Sequence, residues 1–532
     1  MTDDSTHSRR WLWLSIAALV LPPLALLLVH SWLGWEGERL WQQAQARLKA
    51  EGETLDFMAL VPKPVPDEDN FFAVEPLKDI ALVIDGDETK GDPGSRRKQL
   101  ENLCFIEGTQ NPDRPSDDCV AYGIKWDAKA WASYYRTSGK LVMPVDSGNP
   151  GRDLLAALKE GDPLVAKLQS GLDRPFALIT PAWEDRKIPR MLAAIPMTHF
   201  SAFQKLMRLL TLRAESEVAS GEFAQATMDV RVRLRLAEGM GREPTLINGV
   251  MATAMVGVSM DNIWSLLESH GTSASDLLAL ERDLARLDMS TVISTAMRCE
   301  MAIFANSMGF FSEPQNSAET AYLMQAAKTT GGLREQIKMM TMLALWHLNP
   351  RAVVQGNKGR GINYLLDSQL LPIRQGGLKG LAEAEIKFEK TERQLLVDLD
   401  IMSMLMNVAL PSVGSIGSKA LRTETLVHQA RLACALERYF LQHQRYPETL
   451  NELVPTFIDK VLLDPCDDKP MRYARTPAGR YKLWSLGFDG EDDGGKVIAS
   501  PQDAPSHPKP SARDYPGDWV WSYERLVPLA EE

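Results

Sequence analysis

The chain has 532 residues, of which 45% are hydrophobic and 24% are charged, so it has the composition of a globular protein too large for one hydrophobic core. We therefore expect two to four domains. A net charge of −11 without a basic patch argues against nucleic acid as a partner.

An uncharged apolar segment lies near the N-terminus. Trp11 to Trp35 contains no formally charged residue, and as a helix it is long enough to cross the roughly 30 Å hydrocarbon layer of a bilayer. Arg9 and Arg10 precede the segment and acidic residues follow it, which favours a cytoplasmic N-terminus. We predict that residues 1–35 form a cytoplasmic tail and a single transmembrane anchor in the inner (cytoplasmic) membrane, with the bulk of the chain extracytoplasmic.

Two alternatives to an anchor are a cleaved signal peptide and a cytoplasmic body. No pair of small residues suited to signal cleavage follows the segment, because its end reads His30, Ser31 and Trp32. The apolar run is also long for a signal peptide. The uncleaved anchor is therefore favoured.

Residues 36–150 are predicted to form a stalk helix, an extended segment and an irregular subdomain. The polar segment from Glu36 to Glu51 continues the helical pattern and is expected to lift the body off the membrane. Cys104 and Cys119 enclose a polar loop, which suggests a disulfide worth about 3 kcal/mol by chain entropy. Such a bond requires an oxidising compartment, in line with export.

Residues 151–410 have helical periodicity almost throughout and are predicted to form an all-helical body. The predicted helices include His199–Ala219, Pro244–His270, Ala274–Leu287, Ser290–Met308, Ala318–His347 and Gly377–Leu410. A glycine turn at Gly221 between two helices is typical of tetratricopeptide-like hairpins, but no strict 34-residue period is present. A helical bundle or array usually offers a binding face.

Residues 411–419 contain proline and several glycine and serine residues, which predicts a hinge before a C-terminal domain over 420–532. In that domain a helix carries Leu432, Leu436 and Tyr439 on one face and ends before Pro447. A short turn of helix follows it. The fold class is therefore mainly α, ending in a small α+β domain.

Three short segments of this domain predict an antiparallel sheet. Met471–Arg475 and Tyr481–Ser485 carry aromatic residues and flank a Thr-Pro-Ala-Gly turn, as in a hairpin. Asp518–Tyr523 could return to this sheet as a last strand.

This order of elements resembles the C-terminal globular part of the major pseudopilin of type II secretion systems. The resemblance is carried by Gln444-Arg445-Tyr446-Pro447, Leu463-Asp464-Pro465, Tyr473 and the segment from Tyr481 to Gly490. A pseudopilin has its hydrophobic helix directly before this domain, whereas here the apolar segment lies far upstream. We therefore expect the chain to carry a pseudopilin-like head as an accessory module, and the rest of the chain resembles no characterised family.

The resemblance also implies a calcium site in the acidic loop of the head. Carried over to this sequence, the ligands are the backbone of Leu486 and the carboxylates of Asp489, Asp492, Asp493 and Asp518. Hard oxygen ligands on a glycine-rich loop suit calcium. The alternative is a solvated acidic turn. An EF-hand is rejected, because the twelfth position, Ser500, is not glutamate.

No sequence signature of catalysis is present. The chain has no HExxH, GxSxG, P-loop or Rossmann glycine motif, and its eight histidines are scattered. Carboxylates such as Glu215, Glu217 and Glu300 lie in helical patterns, where buried ion pairs are more common than catalytic dyads. We predict a membrane-anchored scaffold or interaction protein with envelope proteins as partners. The alternatives are an accessory component of a type II secretion-like system and an envelope hydrolase with a dispersed active site.

Overall fold

A computed structural model describes residues 4–81, 125–186, 188–197, 199–311, 344–397, 415–496 and 517–524, with single positions at 115, 313, 402, 403 and 406. The fold is mainly helical, as predicted, with an N-terminal apolar helix and a small antiparallel sheet.

The described helices follow one another with short connections. They are α1 (Asp4–Glu51), α2 (Phe57–Leu60), α3 (Ala128–Ser138), α4 (Pro150–Ala157), α5 (Asp162–Gln169), α6 (Phe200–Ser220), α7 (Phe223–Arg242), α8 (Leu246–Glu268), α9 (Ala274–Leu284), α10 (Met289–Phe311), α11 (Pro350–Leu365), α12 (Leu371–Val397) and α13 (Ile416–His443). Gly221 has a φ of 79° and ends α6, so the predicted helix–glycine–helix hairpin is present.

The sheet has three antiparallel strands in the order β1 (Arg472–Arg475), β2 (Tyr481–Ser485) and β3 (Trp519–Ser522). β1 and β2 form the predicted hairpin, with Arg475 opposite Tyr481 across the turn. β3 pairs with the other edge of β2, and Ser485 lies opposite Trp519. The alternate residues of β2 are buried, so one face of the sheet lies in the core.

The two halves of α1 have different surroundings. The apolar half is exposed, with Leu19 79% and Leu28 64% accessible. The second half is amphipathic in the fold, because Leu40, Ala44 and Leu48 are buried in the main hydrophobic core. A single helix therefore joins an exposed apolar segment to the packed body.

The segment after the apolar half is not a free stalk, in contrast to the prediction. Arg47 forms an ion pair with Asp367, and Arg374 forms ion pairs with Glu51 and Glu53. Leu40 approaches the backbone of α11 closely. The periodicity that suggested a polar stalk was compatible with packing along α11, and the residues that pack there are more than 300 positions away in the sequence.

Two helices are long and apolar enough to cross a membrane, judged by length and composition alone. The first is the N-terminal one, and none of its apolar window is buried. The second is α8, whose window is 67% buried inside the fold. Burial of that extent is what the core helix of a globular body requires.

The predicted C-terminal domain shares its core with the body. Arg431 of α13 pairs with Glu281 of α9 at 3.0 Å, and the indole nitrogen of Trp264 in α8 donates to the carbonyl of Ser522 in β3 at 2.9 Å. Gly417 is buried and donates its N–H to Glu385. Residues 416–419 of the predicted hinge are therefore the packed first turn of α13, and the domain is not a loosely attached head.

Several predicted features lie outside the described residues. These include the proposed disulfide between Cys104 and Cys119, most of the predicted helix Ala318–His347, and positions 411–414 of the predicted hinge. The helix predicted from Gly377 instead starts at Leu371 and has non-helical dihedral angles at Gly376 and Gly377.

Candidate functional site

The acidic loop predicted to bind calcium lies between β2 and β3. It follows the buried end of β2 and passes Asp489, Asp492 and Asp493 before the chain returns at Asp518. Gly490, Gly494 and Gly495 have positive φ values, which explains the glycine content of the loop.

Two of the four carboxylates organise the loop backbone. Asp489 accepts the N–H groups of Gly517 and Glu491, at 2.6 and 3.1 Å. Asp492 accepts the indole N–H of Trp484 at 2.9 Å and the N–H of Gly494 at 3.0 Å. The indole hydrogen bond lowers the pKa of Asp492, because it favours the charged form.

The other two carboxylates each keep a buried oxygen without a hydrogen-bond partner. Asp518 is 4% exposed, and its Oδ2 accepts the N–H of Gly495 at 2.6 Å while Oδ1 has no partner. Oδ2 of Asp493 is buried without a partner as well. Burial and the nearby charges of Asp492 and Asp493 raise the pKa of Asp518 to about 6. This end of the loop therefore holds uncompensated negative charge.

The loop fits a hard cation in part. An unpartnered buried carboxylate oxygen is costly, and a cation beside it would remove that cost. Asp489 and Asp492 already accept hydrogen bonds, but a carboxylate has about four acceptor positions and can also ligate. Across the described residues, no group of three or more His, Cys, Asp or Glu side chains is arranged to hold a metal ion. Leu486 donates its N–H to Asp464 and lies at the start of the loop.

Asp464 is the residue of this region that sequence reasoning did not single out. It is fully buried and accepts hydrogen bonds from Ser485 Oγ at 2.7 Å, Cys466 N at 2.9 Å and Leu486 N at 3.1 Å. Arg472 donates to its second oxygen at 2.7 Å. The carboxylate thereby ties both ends of the hairpin to the segment before it. The Leu-Asp-Pro segment was the only sequence signal that could have indicated this role.

A small cavity of about 180 Å³ lies between the body and α13. It is lined by Leu266, Leu267, His270, Thr272, Leu277, Glu437 and Leu441. His270 Nδ1 lies 2.9 Å from one oxygen of Glu437, and the other oxygen accepts the hydroxyl of Tyr446 at 2.8 Å. The hydroxyl of Thr272 is buried and has no partner. The polar groups here chiefly connect α13 to the turn after α8.

Buried carboxylates of the body are paired with arginine, as the sequence suggested. Arg213 donates to Asp229 at 3.0 Å and to Glu217 at 3.2 Å. Burial and the neighbouring charge of Asp229 raise the pKa of Glu217 to about 9. Glu215 accepts a hydrogen bond from Asn262 at 2.6 Å. Burial raises the pKa of Glu300 to about 7.

Three described cysteines are free thiols in the core: Cys299, Cys434 and Cys466. Cys434 and Cys466 therefore do not form the bond that was conditional on their proximity. Burial raises the pKa of Cys299 and Cys466 to about 12, so both remain protonated thiols.

No family model, no curated protein and no solved structure matches this chain.

Proposed function

We propose that the chain is a membrane-anchored extracytoplasmic scaffold or interaction protein that ends in a pseudopilin-like domain. The observation that carries this proposal is the continuity of α1. Its exposed apolar half suits a bilayer, and its second half packs in the core, so the body would be held by a rigid connection.

The interaction role is supported by an apolar stripe on α8. Ile247, Val250 and Val258 are 56%, 38% and 52% exposed and lie on one side of the helix. Contiguous exposed apolar residues are typical of binding surfaces.

The anchoring is tested by fractionation of cells that produce the full chain. We expect the protein to stay in the membrane pellet after alkaline carbonate, and the body to be digested by protease added from the extracytoplasmic side. A soluble full-length protein would overturn the proposal. Protection of the body in spheroplasts would overturn its orientation.

We also propose that the acidic loop binds calcium, in line with the pseudopilin resemblance. The two partnerless oxygens of Asp493 and Asp518 support this, because a divalent cation would compensate both. Asp489 and Asp492 would complete the ligand set with backbone carbonyls. Calcium at millimolar concentration should raise the melting temperature, whereas magnesium should raise it less, because magnesium is smaller and keeps its water ligands.

Capture of the full chain from detergent-solubilised membranes separates the remaining alternatives. Recovery of secretion-apparatus proteins would favour an accessory role in a type II secretion-like system. The double variant Val250→Glu with Val258→Glu should lose the partner if the α8 stripe binds it. Val142→Glu with Val145→Glu is the matched control, because these valines are exposed elsewhere, at 91% and 92%.

A further inference from the structure

The exposed apolar half of α1 overlaps with the first contacts of the body. The apolar segment extends to Trp35, yet His30 already contacts the body: its Nδ1 lies 3.0 Å from the carbonyl of Leu348, and its own carbonyl accepts a hydrogen bond from Asn349 at 3.3 Å. Leu33 is fully buried. The body therefore starts within the apolar segment rather than beyond it.

The opposite side of the same helical turn stays open. Trp32 is 53% exposed and Trp35 is 63% exposed, while Leu33 between them faces the body. Tryptophan is enriched where hydrocarbon meets lipid headgroups, because its ring is apolar and its N–H is polar. One turn of α1 thus presents tryptophans outward and the edge of the body inward.

The extent of the overlap matches the headgroup layer. The five residues from His30 to Trp35 correspond to about 7 Å of helix, and the polar layer on each side of a bilayer is about 5–8 Å thick. His347 and Arg351 are exposed and flank the two residues that contact His30, so they lie within about one helical turn of that level. Arginine pairs well with lipid phosphate.

The packing of α1 fixes this height. Gly37 and Gly359 allow the backbones of α1 and α11 to meet without intervening side chains, and ion pairs hold the far end of α1 at Arg374. A helix clamped along this length cannot swing the body away from the membrane.

We propose that the edge of the body formed by residues 345–351 lies in the lipid headgroup layer, beside Trp32 and Trp35. The partner of this surface is the bilayer, with phosphate next to Arg351 and His347. The inference rests on the proposed anchoring role of α1 and adds a fixed depth and a contact surface to it.

The test uses spin labels in full-length protein reconstituted into vesicles that contain anionic lipid. Single cysteines replace Leu21, His347, Arg351 and Ala50, all exposed, and the unsubstituted protein gives the background from native thiols. The measured quantity is the ratio of collision with oxygen, which is enriched in lipid, to collision with a water-soluble nickel complex. Ala50 is the matched control, because it lies on α1 about 22 Å past Trp35 and therefore in water.

We expect the highest ratio at Leu21, and ratios at His347 and Arg351 about twofold or more above that at Ala50. Ratios at His347 and Arg351 equal to that at Ala50 would overturn the inference and leave the anchor intact. Exclusion of both reagents at His347 would also overturn it, because protein rather than lipid would then cover the edge. A low ratio at Leu21 would instead contradict the anchor.

Discussion

Gly359 in α11 lies directly against Leu40 in α1. A Cβ atom on Gly359 would stand 2.5 Å from the Leu40 carbonyl oxygen, a separation that side chains do not adopt. Gly37 meets the carbonyl of Ala352 in the same way, one turn earlier in α1. The two helices are therefore joined by backbone contact, and glycine is required at the crossing.

Gly37→Ala should weaken the attachment of α1 to the body. The added methyl group would overlap the Ala352 carbonyl, so the free energy of unfolding in detergent should fall by about 1–3 kcal/mol. Gly34→Ala is the matched control on the same helix, because its new methyl group would meet only Asn349 Nδ2 at an ordinary 3.5 Å. Denaturant unfolding measures both variants, and an equal loss in both would refute the close crossing.

Asp464→Ala should destabilise the C-terminal sheet. It would leave Arg472 and the buried donors Ser485 Oγ, Cys466 N and Leu486 N without their common acceptor, at a cost of about 3 kcal/mol. Asp459→Ala is the control, because Asp459 is an exposed residue of the same domain. Hydrogen exchange in β1, β2 and β3 should accelerate in the first variant alone. Unchanged exchange would show that the four hydrogen bonds contribute little.

Asp518 should make the stability of the calcium-free protein depend on pH. Its folded pKa of about 6 lies above the ordinary value of 3.8, so the stability it contributes is full below about pH 4 and is lost as the pH rises to about 6. Asp518→Asn should abolish this loss and also the calcium response. Thermal melts from about pH 4 to pH 7, with and without calcium, measure both effects. A wild-type pH profile in the variant would exclude Asp518 as the titrating group.

Glu217 should produce a second pH dependence, in the body. Its folded pKa of about 9 exceeds the ordinary 4.5, so stability is lost progressively as the pH rises from about 4.5 to 9. Glu217→Gln keeps the shape without the charge, and its melting temperature should be less sensitive to pH across this range. Glu222→Gln, at an exposed position, is the control. If both variants retain the wild-type slope, the buried glutamate is not its source.

Local sequence patterns predicted the elements of this fold well. The strand from Tyr481 to Ser485 begins and ends at the predicted residues, and α6, α8 and α9 lie within a few residues of their predicted bounds. These predictions depend on periodicity, on glycine at Gly221 and on proline after Tyr446, which act over a few residues. The run without charges from Trp11 to Trp35 likewise identified the exposed apolar half of α1.

The candidate calcium site was predictable in part. The acidic and glycine-rich composition marked the loop, and the resemblance supplied five residues. Which carboxylates cap backbone N–H groups, and which keep a partnerless oxygen, depends on how the chain returns at Asp518 after β2 has paired with its neighbours. Asp464 was overlooked as an organising residue because its partners come from three separate segments.

Composition and periodicity alone were enough to establish an apolar N-terminal helix, a helical body and a small C-terminal sheet, because each follows from interactions between near neighbours in the chain. The assembly of these parts could not be inferred that way. The segment Glu36–Glu51 became part of the core, and residues 416–419 became a packed helical turn, because their partners in α11 and α12 are distant in sequence. Contacts of that range depend on the whole fold, since no local pattern specifies which apolar faces and which glycines will meet.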